Sequence, residues 1–208
     1  MDKHFFVLCK TEKIRYGIYK DVGEFVYFKR SGGFFMIRKA TEADLDGVND
    51  GYEELLYYEK EHGAYTVWQL GVYPTRTSAK KSLDEDGLYV LEEDGQIAAS
   101  ITVNQKQPPE YEMVHWGCEA KPEEVMVIHL LCVRPSKAHQ GMGKRMVEFI
   151  IEQARKRGCK AVRLDTGAQN IPAQSLYTKI GFKLAGTASM AIGGLIPHEG
   201  HLFFEYVL

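Results

Sequence analysis

Two periodicities divide most of this chain into alternating strands and helices. Residues 125–133 read VMVIHLLCV, an almost continuous run of β-branched and aliphatic side chains, which is the pattern of a strand covered on both faces. Pro135 sets its end, because proline lacks a backbone donor and biases Arg134 toward extended geometry. From Met142 the period lengthens. Met142, Met146, Val147, Ile150, Ile151 and Ala154 fall on one helical face, Lys156 and Arg157 occupy the last turn, and Gly158 stands where a left-handed cap belongs. Residues 161–166 predict a further strand with Val162 and Leu164 on one side. Asn170 then reads as the N-cap of a second helix. Pro172 lies in its first turn, Ala173, Leu176, Tyr177 and Ile180 share a face, and Gly181 and Phe182 form the cap.

The flanking segments are placed by the same rules. Residues 34–38 predict a strand. Thr41 and Asp44 form a capping pair that opens a helix carrying Leu45, Val48, Tyr52, Leu55 and Leu56. A short helix is expected over 77–86, and strands over 88–91 and 97–103 joined through Asp94-Gly95, a strong hairpin signal. Pro108, Pro109, Gly117 and Pro122 mark a long loop. Residues 184–192 and 201–208 predict a final strand pair, separated by GGLIPHEG. Before all of this, residues 1–33 hold short aromatic-rich runs between turn formers and read as a small β hairpin or meander. It would pack on the main sheet or on a neighbouring subunit, ahead of a main domain at 34–208.

Composition narrows the class of function. The 208 residues are 45% hydrophobic and 26% charged, enough for one globular domain with a substantial core. A net charge of −2 with no basic block argues against a nucleic-acid surface. Cys9, Cys118, Cys132 and Cys159 show neither Cys-x-x-Cys nor paired spacing, so no zinc site or disulfide framework is expected and a reducing cytoplasm is the simplest setting. No run reaches the roughly 18 apolar residues of a membrane span, and Lys10 and Glu12 interrupt the apolar start, so no signal peptide is expected.

Between the 125–133 strand and its helix, Gly141 and Gly143 let the backbone turn tightly and approach a ligand. A helix start offers unpaired N–H groups and about half a positive charge, which together suit a phosphate. The same glycines serve equally as a plain tight turn. No Gly-Lys-Ser/Thr follows the loop, so a nucleotide kinase fits poorly.

VRPSKAHQGMGKRMVEFIIEQA and RLDTGAQNIPAQSLYTKIGF resemble the coenzyme A segments of the GNAT superfamily of acetyl-CoA-dependent N-acyltransferases, and the resemblance extends from about residue 35 to 208. It implies an α/β (α+β) fold: a mixed, mostly antiparallel twisted sheet of about six to seven strands with about four helices, here with an extra N-terminal hairpin. It implies that coenzyme A lies along Ala138, His139, Gln140, Gly141, Met142, Gly143 and Lys144, along the strand end Leu131, Cys132 and Val133, and against Asn170, Ala173 and Tyr177. Ala138 departs from the family's Arg or Gln at that place. A register using Gln140 as the polar residue would put Glu148 on the apolar face.

The chemistry that follows is acetyl transfer from acetyl-CoA, without a metal, to a primary amine of a small molecule or peptide. The resemblance places the oxyanion donor in the backbone near 131–133 and the proton donor for the departing thiolate at Tyr177. By position alone Tyr177 is a core aromatic beside Leu176 and Ile180. His129, read on the same face as Val127, Leu131 and Val133, is a candidate base or a bonded core histidine. Glu112, His115 and Asp165 are weaker candidates, and a water chain would serve equally. His198 and His201 flank Glu199 in the glycine-rich segment and read as solvated. Glu53, Glu54, Glu59 and Glu61, with Tyr52, Tyr57, Tyr58, Trp68 and Tyr73, either draw a cationic amine or form a solvated acidic face. Two further readings stay open: a non-catalytic acyl-CoA sensor, suggested by Ala138, and a homodimer through the final strands.

Overall fold

A computed structural model of the chain describes residues 18–21, 25–30 and 33–208. In chain order its elements are β1 (Ile18–Asp21), β2 (Phe25–Arg30), β3 (Gly33–Lys39), α1 (Leu45–His62), α2 (Arg76–Asp84), β4 (Leu88–Glu93), β5 (Gln96–Asn104), β6 (Val125–Val133), α3 (Met142–Lys156), β7 (Ala161–Gly167), α4 (Ile171–Ile180), β8 (Lys183–Ile192) and β9 (Ile196–Val207). Among the described residues they form one sheet in the order β1-β2-β3-β4-β5-β6-β7-β9-β8. Every neighbouring pair is antiparallel except β6 and β7, which α3 joins as a parallel crossover. Strands β3 to β9 are the expected mixed sheet, and the β1–β2 hairpin extends its β3 edge. The apolar run at residues 5–9 lies outside the described residues.

Each helix begins and ends where its caps dictate. The Asp44 carboxylate accepts from Thr41 N–H at 2.7 Å, from Thr41 Oγ1 at 2.8 Å and from both terminal nitrogens of Arg38. Burial alone would raise its pKa, and these bonds outweigh that and lower it. Helix α3 ends with Gly158 at φ 73° and α4 with Gly181 at φ 114°, both left-handed caps, and Phe182 N–H closes back on Tyr177 O at 3.0 Å. Asp94 and Gly95 both carry positive φ, as a two-residue hairpin turn of type I′ demands. The last hairpin corrects the reading of GGLIPHEG as a separating loop. Its turn is residues 193–195, Ile192 pairs Ile196, and His198 and His201 are strand residues of β9.

Two layers of core cover the sheet. Tyr89 and Leu91 of β4 join α3 and α4 on one face, whereas Leu88 and Val90 join α1 and α2 on the other. The long 105–124 segment seals the second face over β7 and β9, burying Tyr111, Val114, Val125, Val127 and Phe203 together. A buried ion pair pins it there. Arg163 donates to Glu205 Oε1 at 2.9 Å, to Gln107 Oε1 at 2.7 Å and to Cys118 O at 2.8 Å, with its guanidinium 4.2 Å from the Trp116 ring centre.

Strand β6 breaks the strict alternation expected of it. Val127 pairs with Asn104 and Ile128 with Val103, but the next pair is Leu130 with Thr102, so His129 is an extra residue, a β-bulge. Its consequence is a change of phase. Val125 and Val127 face the α1/α2 side, and so do Leu130 and Cys132, whereas Leu131 and Val133 turn to the α3 side. The expectation that His129 shares a face with Val127, Leu131 and Val133 fails for this reason.

Candidate active site

Pairing between β6 and β7 runs only from Val125↔Ala161 to Ile128↔Leu164. Beyond Ile128 the two strands part, and the bulge at His129 lies at the point of separation. A polar cavity of about 100 Å³ occupies the gap, lined among others by Trp68, His129, Leu131, Asn170, Ala173, Tyr177 and His201. A larger cleft of about 580 Å³ opens on the α1/α2 side, with Tyr52, Tyr73, Glu85, Asn104 and Glu110 in its walls. His129, Leu130, Asp165 and Ile192 line both. The separation thus joins a narrow chamber to a wide one across four residues.

The start of α3 lies against the end of β6 and against α4, outside the chamber's own lining. Gly141 sits at φ 76°, in the left-handed region, as the N-cap with no side-chain cap, and Arg145 N–H makes the first helical bond to Gly141 O at 3.2 Å. The N–H groups of Met142, Gly143 and Lys144 precede that ladder, an arrangement able to hold a phosphate. A Cβ on Gly143 would lie 3.3 Å from Leu176 Cδ2 and 3.5 Å from Val133 Cγ2, so α3, α4 and the end of β6 converge there. Ala138, His139 and Lys144 are exposed beside it, whereas the Met142 side chain is core. Glu148 is solvent-facing and paired with Lys144, as the chosen helix register requires. Cys132 offers only backbone, since its buried thiol donates to Gly51 O at 3.5 Å and burial pushes its pKa up to about 12.

Helix α4 supplies the narrow chamber's wall. Asn170 Oδ1 accepts from Ala173 N–H at 3.2 Å, which caps the helix and leaves the amide NH₂ as the donor for a ligand. The Tyr177 ring is 5.8 Å from Phe182 and 6.2 Å from Phe204, and its hydroxyl has no hydrogen-bond partner among the described residues. Burial, and after it the charge of Asp165, raises its pKa well above that of a free phenol. The hydroxyl is therefore protonated at neutral pH.

At the junction, Asn104 Oδ1 accepts from Lys106 N–H at 2.8 Å and lies 2.6 Å from His129 Nε2. That oxygen cannot donate, so His129 carries its proton on Nε2. Burial holds its pKa below the ordinary histidine value. Asp165 accepts from Tyr111 Oη at 3.0 Å through Oδ1 and from His201 Nδ1 at 3.0 Å through Oδ2. His201 is 3% exposed, not solvated as its glycine-rich neighbours suggested. The signal was present in the alternation of His201, Phe203 and Glu205, which sets Glu205 opposite Arg163 and His201 opposite Gly167, within reach of Asp165.

The acidic helix face does not line the cleft. Glu59 is 4% exposed and accepts from Tyr65 N–H, Thr66 N–H and Thr66 Oγ1, fixing the loop that carries Trp68 to the chamber. Glu54 accepts from Ser136 N–H and Arg134, and Glu53 from Asn49. Tyr57 and Tyr58 are exposed away from the cleft, and Glu112 and His115 are exposed outside both cavities. Of the aromatic set, Tyr52, Trp68 and Tyr73 reach the site. A Cβ on Gly193 would fall 2.6 Å from the Tyr73 ring, so the last hairpin closes directly onto that tyrosine. No helix among the described residues is long and apolar enough to cross a membrane.

Residues 49–182 match the acetyltransferase (GNAT) family. An uncharacterized N-acetyltransferase of Methanocaldococcus jannaschii is 27% identical over 157 residues, which cover 72% of this chain and 61% of that protein, so the match leaves more than a third of the relative unspanned. An acetyltransferase of the GNAT family from Streptococcus agalactiae superposes with a TM-score of 0.70 at 17% identity, over 84% of this chain and 95% of that one. A Salmonella typhimurium structure with its cofactor acetyl-CoA superposes at 0.59 and 17% identity, covering 84% and 94%.

Proposed function

The chain belongs to the acetyltransferase (GNAT) family, and on that premise we propose that it moves the acetyl group of acetyl-CoA to a primary amine of a small molecule or peptide, by direct attack in a ternary complex. One observation carries the reading: the narrow chamber and the wide cleft meet where β6 leaves β7, so a thioester entering from one side faces an acceptor entering from the other. The open start of α3 fits a pyrophosphate, and Asn170 NH₂ fits an amide of the pantetheine arm.

Acetyl-CoA supplies the activated carbonyl carbon. Backbone N–H groups of the unpaired stretch after Ile128 are the donors for the oxyanion that forms when the amine attacks. Tyr177 gives its proton to the departing sulfur. The acceptor's own proton leaves toward the junction, where His129 and Asp165 stand. The wide cleft carries the carboxylates Asp165, Glu85 and Glu110 beside Lys81 and Lys106; Lys106 pairs with Glu85 at 3.1 Å, which leaves Asp165 and Glu110 to favour a cationic amine over an acidic acceptor.

The test is acetyl-CoA consumption and thiol release against polyamines, amino acids, aminoglycosides and peptide N-termini, with calorimetric titration of coenzyme A alongside. Turnover on a cationic class is the expected result. Tight coenzyme binding without turnover on any class would instead favour a non-catalytic acyl-CoA-binding module, and turnover only on neutral or acidic compounds would refute the acceptor.

A further inference from the structure

The His201–Asp165 contact ties β9 to β7 and leaves the second ring nitrogen of His201 without a bond. Asp165 is an acceptor-only carboxylate at neutral pH, so the 3.0 Å contact puts the imidazole proton on Nδ1 and leaves the lone pair on Nε2. That Nε2 is buried and has no hydrogen-bond partner, although His201 lines the narrow chamber. A buried lone pair left unbonded is destabilising unless water reaches it. The chamber of about 100 Å³ has room for water, and because Nε2 is closed to it here, a small shift of the ring or wall has to admit one for a proton to pass.

We propose that His201 is the proton acceptor of the transfer, taking the acceptor's ammonium proton on Nε2 through chamber water, with Asp165 as its positioning residue. The inference rests on the acetyltransferase reading above. His129 is the poorer acceptor: its ring is tied through Nε2 to Asn104, no carboxylate bonds it, and burial outweighs the charges of Asp165 and Glu85 that act on it. In balance, R–NH₃⁺ gives one proton to His201, the amine nitrogen bonds the carbonyl carbon, and the C–S bond breaks. The second nitrogen proton leaves as the amide forms, and Tyr177 protonates the sulfur and is reprotonated. One proton is released to solvent overall. The charged and titratable groups around His201 are Asp165 on β7, which bonds it, Tyr111 on the covering segment, which bonds Asp165, Tyr177 on α4 and His129 on β6, which line the same chamber, and His198 on its own strand, whose ring centre lies 4.8 Å away.

The experiment measures kcat against pH for wild type, H201Q, D165N and H129Q with the amine that wild type acetylates best. In H201Q we expect a loss of about 10²–10³-fold in kcat, within the usual range for a general base, with disappearance of the acid limb and with KM for acetyl-CoA within about threefold. In D165N the limb moves to lower pH, because the imidazolium loses its counter-charge. H129Q retains the limb. An unchanged profile in H201Q, or a limb lost only in H129Q, overturns the proposal. If wild type turns over none of the panel, the acceptor reading fails separately and ¹⁵N NMR of the His201 ring decides the pair. A proton on Nδ1 in wild type, with that preference lost in D165N, supports the assignment; a proton on Nε2 overturns it.

Discussion

Replacing Tyr177 by Phe separates chemistry from packing, because the ring and the hydroxyl do different things. The ring is 6% exposed and packs against Phe182 and Phe204, contacts that phenylalanine keeps in the same rotamer. The hydroxyl makes no hydrogen bond among the described residues, so its removal leaves nothing unpaired and stability should change by less than about 0.5 kcal/mol. If the hydroxyl protonates the leaving sulfur, its loss removes a general acid, about 10²–10⁴-fold in rate or roughly 3–5 kcal/mol at 1.36 kcal/mol per tenfold. Thiol release at saturating acetyl-CoA and acceptor should fall by that factor, while the coenzyme A dissociation constant stays within about threefold. Because burial and Asp165 raise the phenol's pKa, wild type should show no basic limb from this group below about pH 10. Y177F turnover within threefold of wild type would refute the acid role and return Tyr177 to the core. An equal loss in coenzyme affinity would make it a binding residue.

Asn170→Ala should cost about 1 kcal/mol in thermal unfolding through the lost cap, whereas Asn170→Asp should keep the cap yet weaken coenzyme A binding about tenfold in calorimetry, since a carboxylate cannot donate. Gly141→Ala should cost about 1–2 kcal/mol, a fall of roughly 2–8 °C in melting temperature, because φ 76° strains any Cβ while no neighbouring atom lies within 4 Å of it; loss of coenzyme affinity without loss of stability would mean that the loop relaxes instead. His129 has a lowered pKa in the fold, so its neutral form is favoured there, and stability should be lost as pH falls below about 6.5 and level off below the lowered folded value. Denaturant titrations of wild type and H129Q across pH 8 to 5 should differ in that slope, and parallel curves would exclude the contribution.

The helices were legible because each depends on residues close in sequence. Met142 to Ala154 kept one stripe, Asn170 and Gly181 marked both ends of α4, and the structure follows them. Of the residues read as the site, Leu131, Asn170, Ala173, Tyr177 and His129 line one chamber. What sequence could not supply was pairing. The turn at 193–195 lies inside a polar, glycine-rich stretch whose composition resembles a loop, and only pairing with β8 makes Ile196 to Gly200 a strand. The charges on α1 looked like an acceptor lure for a similar reason, since the partners that consume Glu54 and Glu59 lie on Arg134, Ser136 and the 65–66 backbone.

The bulge at His129 shows why the least local feature is also the most functional one. VMVIHLLCV has the composition of a strand paired on both edges, and nothing in it marks where one edge stops. In the fold, β5 follows β6 as far as Val133, whereas β7 stops pairing after Ile128. One extra residue at that point lets β6 keep Leu130 and Cys132 in the α1/α2 core while Leu131 and Val133 close against α3. The five residues from 129 to 133 then have about half of their backbone groups turned toward a strand that has moved away. Such groups need water or a ligand to bond. A sheet built only for stability would extend β7 or end β6 earlier; keeping an unpaired, phase-shifted edge between Tyr177 and Asp165 makes sense if a carbonyl oxygen completes it. Removing His129, which would restore strict alternation, should therefore abolish transfer even where the chain still folds.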